Sequence, residues 1–422
     1  MTERLPCNTP GCARTILAST AEETGGFCMP CVQRMRARDH AEYVAAHRVD
    51  VDRFAGVTNP VDILLLIHQP PPRDELKNEL PYPRKIADLY RSLSQGEVDR
   101  LLSRAANDEG LIGRMASYVA AFSLVDLTPS QLRLLDRTDY PSYPAHVFRD
   151  AAQPVVDRLF ELLDRAVRGG SDLLLSHVLS ALAWTRSARI IEAVTQWQKA
   201  PPAWSALLHW PPQEYTKLAG YEVEDGRVRA LFVPGAMGLV CSGTGSRSSS
   251  GKATLLEPDP RGKPCPRCRK QNRVLIRLEP GSAPGEFQRR GLLFVPTCLE
   301  CACYEPLAVS IAADGRWEWI HAGGGSTVPE SGYSREISPI TTSLAPRPDW
   351  EAVDWCSADG ISQVGGHPSW INDPSYPPCP KCSRSMMTVA QVGLGDFFSA
   401  EGVYYVHHCE ACAVVSVTYE QT

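Results

Sequence analysis

Twelve of the fifteen cysteines fall into three sets of four: Cys7, Cys12, Cys28 and Cys31; Cys265, Cys268, Cys298 and Cys301; and Cys379, Cys382, Cys409 and Cys412. A cysteine thiolate suits a borderline-soft ion, and two cysteines a few residues apart let one turn of backbone present both sulfurs to it. Two such pairs complete a tetrahedron. The spacing therefore predicts three structural zinc sites, each closed by sulfur, with no coordination position left for water or substrate. CPRC at 265–268 and CPKC at 379–382 also resemble the redox motif of thioredoxin relatives. That motif acts alone at the start of a helix, whereas each of these is answered by a second pair and followed by strand-like sequence, which favours metal. In the first set the Cys7 to Cys12 spacing is wider, and His40 is an alternative ligand there; Cys303, in CLECAC, is an alternative to Cys301. Cys241 and Cys356 stand outside every set.

Other chemistry finds little purchase. GTGSRSSSGK at 243–252 has Ser246 where a phosphate loop needs glycine and Ala253 after its lysine, so it reads as a small, polar linker. There is no HExxH, GxSxG or GxGxxG segment, and the carboxylates are too scattered to nominate an acid and base pair. Alternation along a strand would send one of His407 and His408 inward and the other to the surface. The chain is expected not to be an enzyme.

A length of 422 residues predicts two to four domains. With 43% hydrophobic and 22% charged residues the chain has the makings of ordinary globular cores, and a net charge of -5 lends no support to a nucleic-acid partner. MTERLPCNTPGC lacks a secretory apolar stretch, and the longest apolar run, Ile63 to Ile67, is far too short for a membrane span. A cytoplasmic protein without membrane contact is expected, and reducing conditions there favour metal over disulfides.

The elements that must carry these cysteines divide the chain into three expected domains. Residues 1–50 form a zinc-ribbon module, whose loop ending in Gly25 and Gly26 suits a hairpin turn and whose MRARDHAEYVAAHR segment reads as a helix. Residues 55–225 are all-helical. Val156, Leu159, Phe160, Leu163 and Val167 line one face before Gly169 and Gly170; Ser171 caps a second helix carrying Leu174, Val178, Ala181 and Leu182; a third carries Ile190, Val194 and Trp197. This pairing resembles a HEAT repeat, with an irregular bundle as the alternative. Trp184, Trp197, Trp204 and Trp210 read as packing residues. Residues 226–422 are β-rich, with strands such as RVLIRL, LLFVPT, RWEWI, GVYYVHH and AVVSVTY between Gly and Pro clusters. The overall class is thus α+β and multidomain.

The β-rich part repeats itself. CPRC, a strand, GLLFVPT, CLEC and EPLAVSI are echoed by CPKC, a strand, GVYYVHH, CEAC and AVVSVTY, which predicts two pseudo-equivalent ribbons. Loss of metal is expected to unfold each ribbon locally while the cysteine-free helices survive.

VGGHPSWINDP, CPKC, TVAQVGL and GVYYVHHCEAC resemble the bacterial YwqG-like family, whose GGxPxW segment is matched by Gly365, Gly366, Pro368 and Trp370 and whose strand glutamine is matched by Gln391. Many members lack the cysteine sets. Similar domains occur beside secreted toxin genes, so the resemblance implies an immunity role. The reading is a zinc-stabilised protein-binding scaffold that occludes a cognate bacterial toxin, the mild acidity suiting a basic one. The alternative is a zinc-ribbon nucleic-acid binder using RCRKQNR at 267–273 and RMRAR at 34–38.

Overall fold

A computed structural model describes residues 4–106, 108–137, 144–241, 251–259, 262–279, 294–312, 315–320, 338–353, 360–398 and 400–421. Two compact units divide the chain, Met1–Arg84 and Lys85–Thr422. No helix among the described residues is long and apolar enough to cross a membrane.

In the first unit β1 (Arg4–Pro6) and β2 (Thr15–Leu17) pair antiparallel. The stretch expected to be a hairpin loop contains a helix, α1 (Ala18–Thr24), because Gly25 takes the left-handed cap position at φ 67° and Gly26 N–H returns to Ala21 O at 2.8 Å. The glycines stop a helix rather than turn a hairpin. Cys28 then opens α2 (Met29–His47), whose outward residues are polar nearly throughout. A parallel pair, β3 (Val49–Val51) with β4 (Lys77–Glu79), flanks α3 (Pro60–His68), which buries Val61, Ile63, Leu64 and Leu65.

Among the described residues the second unit begins with seven α-helices: α4 (Ile86–Ser92), α5 (Gln95–Ala105), α6 (Glu109–Phe122), α7 (Thr128–Arg137), α8 (Gln153–Gly169), α9 (Asp172–Thr185) and α10 (Ala188–Lys199). In α8 the buried stripe is Val155, Val156, Leu159, Leu162, Leu163 and Ala166, and left-handed Gly170 (φ 64°) ends it. Ser171 Oγ accepts from Leu174 N–H at 3.3 Å to start α9. The helices α7 to α10 share one core in which Phe148, Leu159, Leu175, Leu179 and Leu182 are fully enclosed.

The strands follow within the same unit. β5 (Tyr221–Glu224) and β6 (Arg227–Ala230) form a hairpin through Asp225 and Gly226, both at positive φ as a tight two-residue turn requires. The remainder are β7 (Met237–Cys241), β8 (Gly251–Pro258), β9 (Arg273–Leu278), β10 (Phe294–Thr297), β11 (Leu307–Ile311), β12 (Trp317–Trp319), β13 (Ile340–Pro346), β14 (Gln363–Val364), β15 (Met387–Gly393), β16 (Val403–Cys409) and β17 (Val414–Glu420). They form one sheet in the order β10-β9-β8-β13-β7-β14-β15-β16-β17-β11-β12, antiparallel at each pairing. Gly251 and Lys252, expected in the linker, open β8; residues 242–250 lie outside the described residues. The repeat is visible as β9-β10 and β15-β16, but its third strands part ways: β17 pairs with β16, whereas β11 pairs with β17.

Candidate metal centres

The structure gathers the twelve expected cysteines into three groups, and within each group the four Sγ atoms lie within 4.8 Å of one another. Individual separations are 3.8 Å for Cys12–Cys28, 3.6 Å for Cys265–Cys301, 3.5 Å for Cys268–Cys298 and 3.7 Å for Cys382–Cys409. A tetrahedral ion bound to sulfur at ~2.3 Å sets its ligands ~3.8 Å apart. Each group could therefore hold one metal ion.

Local sequence explains how each pair closes. In CPRCRK the N–H of Cys265 donates to Lys270 O at 3.0 Å and that of Arg269 to Cys265 O at 3.0 Å; in CPKCSR the N–H of Cys379 donates to Arg384 O and that of Ser383 to Cys379 O, both at 2.8 Å. Arg269 (φ 63°) and Ser383 (φ 61°) occupy the same left-handed position, four residues after the first cysteine. The two knuckles thus share one backbone design. Their second pairs follow strands: Cys298 comes directly after β10 and caps the short helix Leu299–Ala302, and Cys409 ends β16. In the first unit Cys7 N–H donates to Arg14 O at 3.0 Å, and Cys28, capping α2, donates its N–H to Cys7 Sγ at 3.2 Å.

Electrostatics prepares a thiolate in each group, and in the first it lowers Cys31, through Thr9, as well as Cys7. The Cys28 backbone N–H draws the Cys7 thiol down to about 6. Cys265 is lowered to about 5, chiefly by its hydrogen bond from the Cys298 thiol, and Cys382 to about 7 by the Arg384 backbone. Burial acts the other way on their neighbours, raising Cys28 to about 11 and Cys301 and Cys409 to about 12. An arriving cation meets lowered thiols beside raised ones from which it must displace protons, so binding is coupled to pH. Arg34 Nη2 donates to Cys31 Sγ at 2.9 Å, and Lys270 Nζ reaches both Glu300 carboxylate oxygens at 2.7 and 2.6 Å beside the second group.

The alternative ligands sit elsewhere. Cys303 is exposed, its Sγ directed to Leu299 O at 3.2 Å, and His40 Nε2 lies 2.6 Å from Glu75 Oε2. Cys241 ends β7, and Cys356 lies outside the described residues. His407 and His408 depart from the expected split between core and surface: both are buried, because neighbouring strands and what packs on them cover both faces of β16. His407 bridges Thr388 Oγ1 at 3.2 Å and Thr418 Oγ1 at 2.9 Å. In the basic runs, Arg267 is ion-paired with Glu305, Lys270 with Glu300, and Arg38 with Asp39 and Glu42.

The GGxPxW segment joins sheet to helices. Gly365 and Gly366 have φ of 69° and 73°, and a Cβ on Gly366 would stand 2.7 Å from the Ala236 Cβ. Gln391 fixes the segment with both ends of its amide, accepting from Ser369 N–H at 2.8 Å and donating to Ile361 O at 2.6 Å. Tyr405 OH donates to Ser369 O at 2.5 Å, and the Trp370 ring leans on Tyr405 at 4.6 Å between centroids. His367 was not singled out by sequence. It is fully buried against Trp184 of α9 and Trp350, with centroids 4.9 and 5.3 Å away, and Arg186 lies over the same Trp350 ring at 5.0 Å. Its place between two glycines and a proline was the available signal.

Comparison with known proteins gives one full-length likeness. The chain is 30% identical over 435 aligned positions to the uncharacterized protein YpfL of Salmonella typhimurium, and the alignment takes in 100% of both chains. No family model matches the chain, and no solved structure matches it.

Proposed function

The chain belongs to the same family as the Salmonella protein YpfL, and from that footing we propose that it is a non-enzymatic, zinc-stabilised protein-binding scaffold of the cytoplasm, acting as an immunity protein that neutralises a bacterial toxin by direct binding. The observation that carries the reading is the four-sulfur composition of each cysteine group. Four thiolates saturate a tetrahedral ion, so zinc held there shapes the fold and has no vacancy for a reacting molecule. The HEAT-like helices and the YwqG-like strands would then supply a composite binding face, and the toxin-linked setting rests on that YwqG-like resemblance.

The nucleic-acid alternative draws less support, because Arg38, Arg267 and Lys270, three of the seven cations of its basic runs, are engaged with carboxylates of the same modules. Phosphate binding needs such cations free to replace counterions. The deciding experiment is co-expression with the product of each adjacent gene. An immunity protein should co-purify with one of them and rescue cells from its toxicity; if none binds or intoxicates, the reading fails, and salt-sensitive retention on DNA or RNA would put the alternative in its place.

A further inference from the structure

The two ribbons share their first two strands and differ in the third. In the second copy β17 pairs with β16 throughout, from Val403 opposite Glu420 to Cys409 opposite Val414. In the first copy the equivalent strand, β11, leaves β10 and pairs with β17, Leu307 opposite Val417 and Ser310 opposite Val414. The strand that follows the second sulfur group is thereby built into the ribbon of the third.

The crossing carries contacts in both directions. Ile311 N–H, at the end of β11, donates to Ala413 O at 3.0 Å, and Ala413 is the residue after Cys412. Ala308 of β11, and Ile320, whose N–H donates to Ala308 O at 2.9 Å, pack on the cluster of Cys379, Met386, Cys409 and Val414. In the opposite direction Tyr404 OH of β16 donates to Leu299 O at 3.0 Å, inside the turn between Cys298 and Cys301. Cys265, Cys298 and Cys301 share their hydrophobic cluster with Tyr404, Val415 and Val417. Each of these two sulfur groups is thus walled by strands of the other copy. The first group differs, since its neighbours Ile16, Ala21 and Phe27 belong to its own unit.

We infer that the second and third groups bind their metal ions cooperatively, as one two-ion unit. Without an ion nothing ties the two cysteine pairs of a group together, so the pairs separate more readily. At the second group this loosens the turn that receives Tyr404 and the chain leading into β11, and β11 is the strand that packs on Cys379 and Cys409. At the third it loosens Cys409, the end of the strand that carries Tyr404. An ion at either group therefore orders the ligands of the other, and linkage requires the two effects to be equal. What the packing links is affinity; how fast a reagent reaches each sulfur still follows exposure. The inference goes beyond the protein-binding reading and stands on the sulfur groups alone.

The probe is zinc alone, titrated into the reduced full chain against a competing chelator, with bound ions counted by native mass spectrometry. Cys12→Ser disables the first group, so that only the coupled pair is counted. Adding Cys268→Ser disables the second group, and adding Cys412→Ser instead disables the third. Each should lower the zinc affinity of the group that remains roughly tenfold, by the same factor in both directions. Tyr404→Phe keeps the sulfurs of both groups and removes one crossing hydrogen bond, which keeps the test sharp if a serine variant misfolds. In the Cys12→Ser chain the one-ion species should stay under about a third of the chains at the midpoint, where independent groups require at least half, and Tyr404→Phe should raise that share. Affinities that do not change, a loss in one direction only, or a one-ion share of half or more would overturn the inference while leaving the metal assignment in place. A chain that takes up no zinc would overturn both.

Discussion

X-ray absorption at the zinc edge of the metal-saturated chain should show a first shell made of sulfur alone. Four of the sulfur–sulfur separations within the three groups run from 3.5 to 3.8 Å. Dividing such an edge by about 1.63 gives a metal–sulfur distance of about 2.1–2.3 Å, near the usual zinc–thiolate length of ~2.3 Å. Elemental analysis should find close to three ions per chain, one for each group. Release should be ordered as well. In the third group Cys382 is exposed and Cys412 half-buried, whereas in the second Cys265, Cys298 and Cys301 are all buried. A thiol-directed reagent with a metal-indicator dye should therefore free one equivalent quickly, from the third group, and the other two more slowly. Cys382→Ser should remove the fast phase and leave the others. A nitrogen or oxygen shell near ~2.0 Å would mean that a histidine or carboxylate had taken a cysteine's place. That result, or release of all ions in one phase, would refute the assignment of closed sites with unequal access.

Two further outcomes follow from buried groups in the second unit. Burial, and secondarily the Arg149 charge, push His146 down to about 3, whereas in the unfolded chain it titrates near 6.5; the unfolded state therefore takes up more protons below that pH, and stability present above about 6.5 is lost as pH falls toward 3, by about 2 kcal/mol at pH 5. In urea melts His146→Phe should lose about 2 kcal/mol less than the parent between pH 7.5 and pH 5, and equal losses would contradict the assignment. Gly366→Ala meets Ala236 at 2.7 Å and Asp349 O at 3.1 Å in a left-handed backbone, so it should cost about 1–3 kcal/mol in the same assay. Gly169→Ala, where nothing lies within 4 Å, is the control that should stay near the parent.

The cysteine groups were legible because ligand spacing is a local property: the knuckles at Cys265 and Cys379 are closed by hydrogen bonds between residues at most five apart, as at Cys379 and Arg384. The helices from Ile86 to Lys199 were legible for a similar reason, their apolar stripes and the Ser171 cap being set by residues three or four apart. Strand partners were not. Nothing in EPLAVSI tells that β11 crosses to β17, because pairing is decided by what covers each face and not by the strand's own residues. The parallel β3 and β4 pair eluded sequence reading because each strand has only three residues and little apolar patterning. Gly25 shows a different failure: a left-handed glycine serves a turn or a helix stop equally well, and only the helical residues before it decide which. Burial of both His407 and His408 came from layers on both faces of β16, information that a period of two cannot carry.

The structure also changes the expectation that the helices stand apart from the metals. β16 runs from Cys409, in the third sulfur group, back through Tyr405, whose hydroxyl holds Ser369 O. β15, beside it, presents Gln391, which holds the same serine's N–H. Ser369 lies two residues from His367, and His367 is packed on Trp184 inside the helical core. Each link is a buried hydrogen bond or ring contact, so none can be loosened without leaving a polar group or a void in the interior. Metal at the third group fixes the end of the hairpin from which this chain of contacts starts. Local melting confined to the ribbon would have to sever it at Ser369, where Tyr405 and Gln391 hold the backbone from both sides. The helical layer and the third metal site are therefore expected to share stability, although no cysteine lies between Ile86 and Lys199. The second group is tied to the same strand by another route, Tyr404 OH of β16 donating to Leu299 O, next to Cys298, at 3.0 Å.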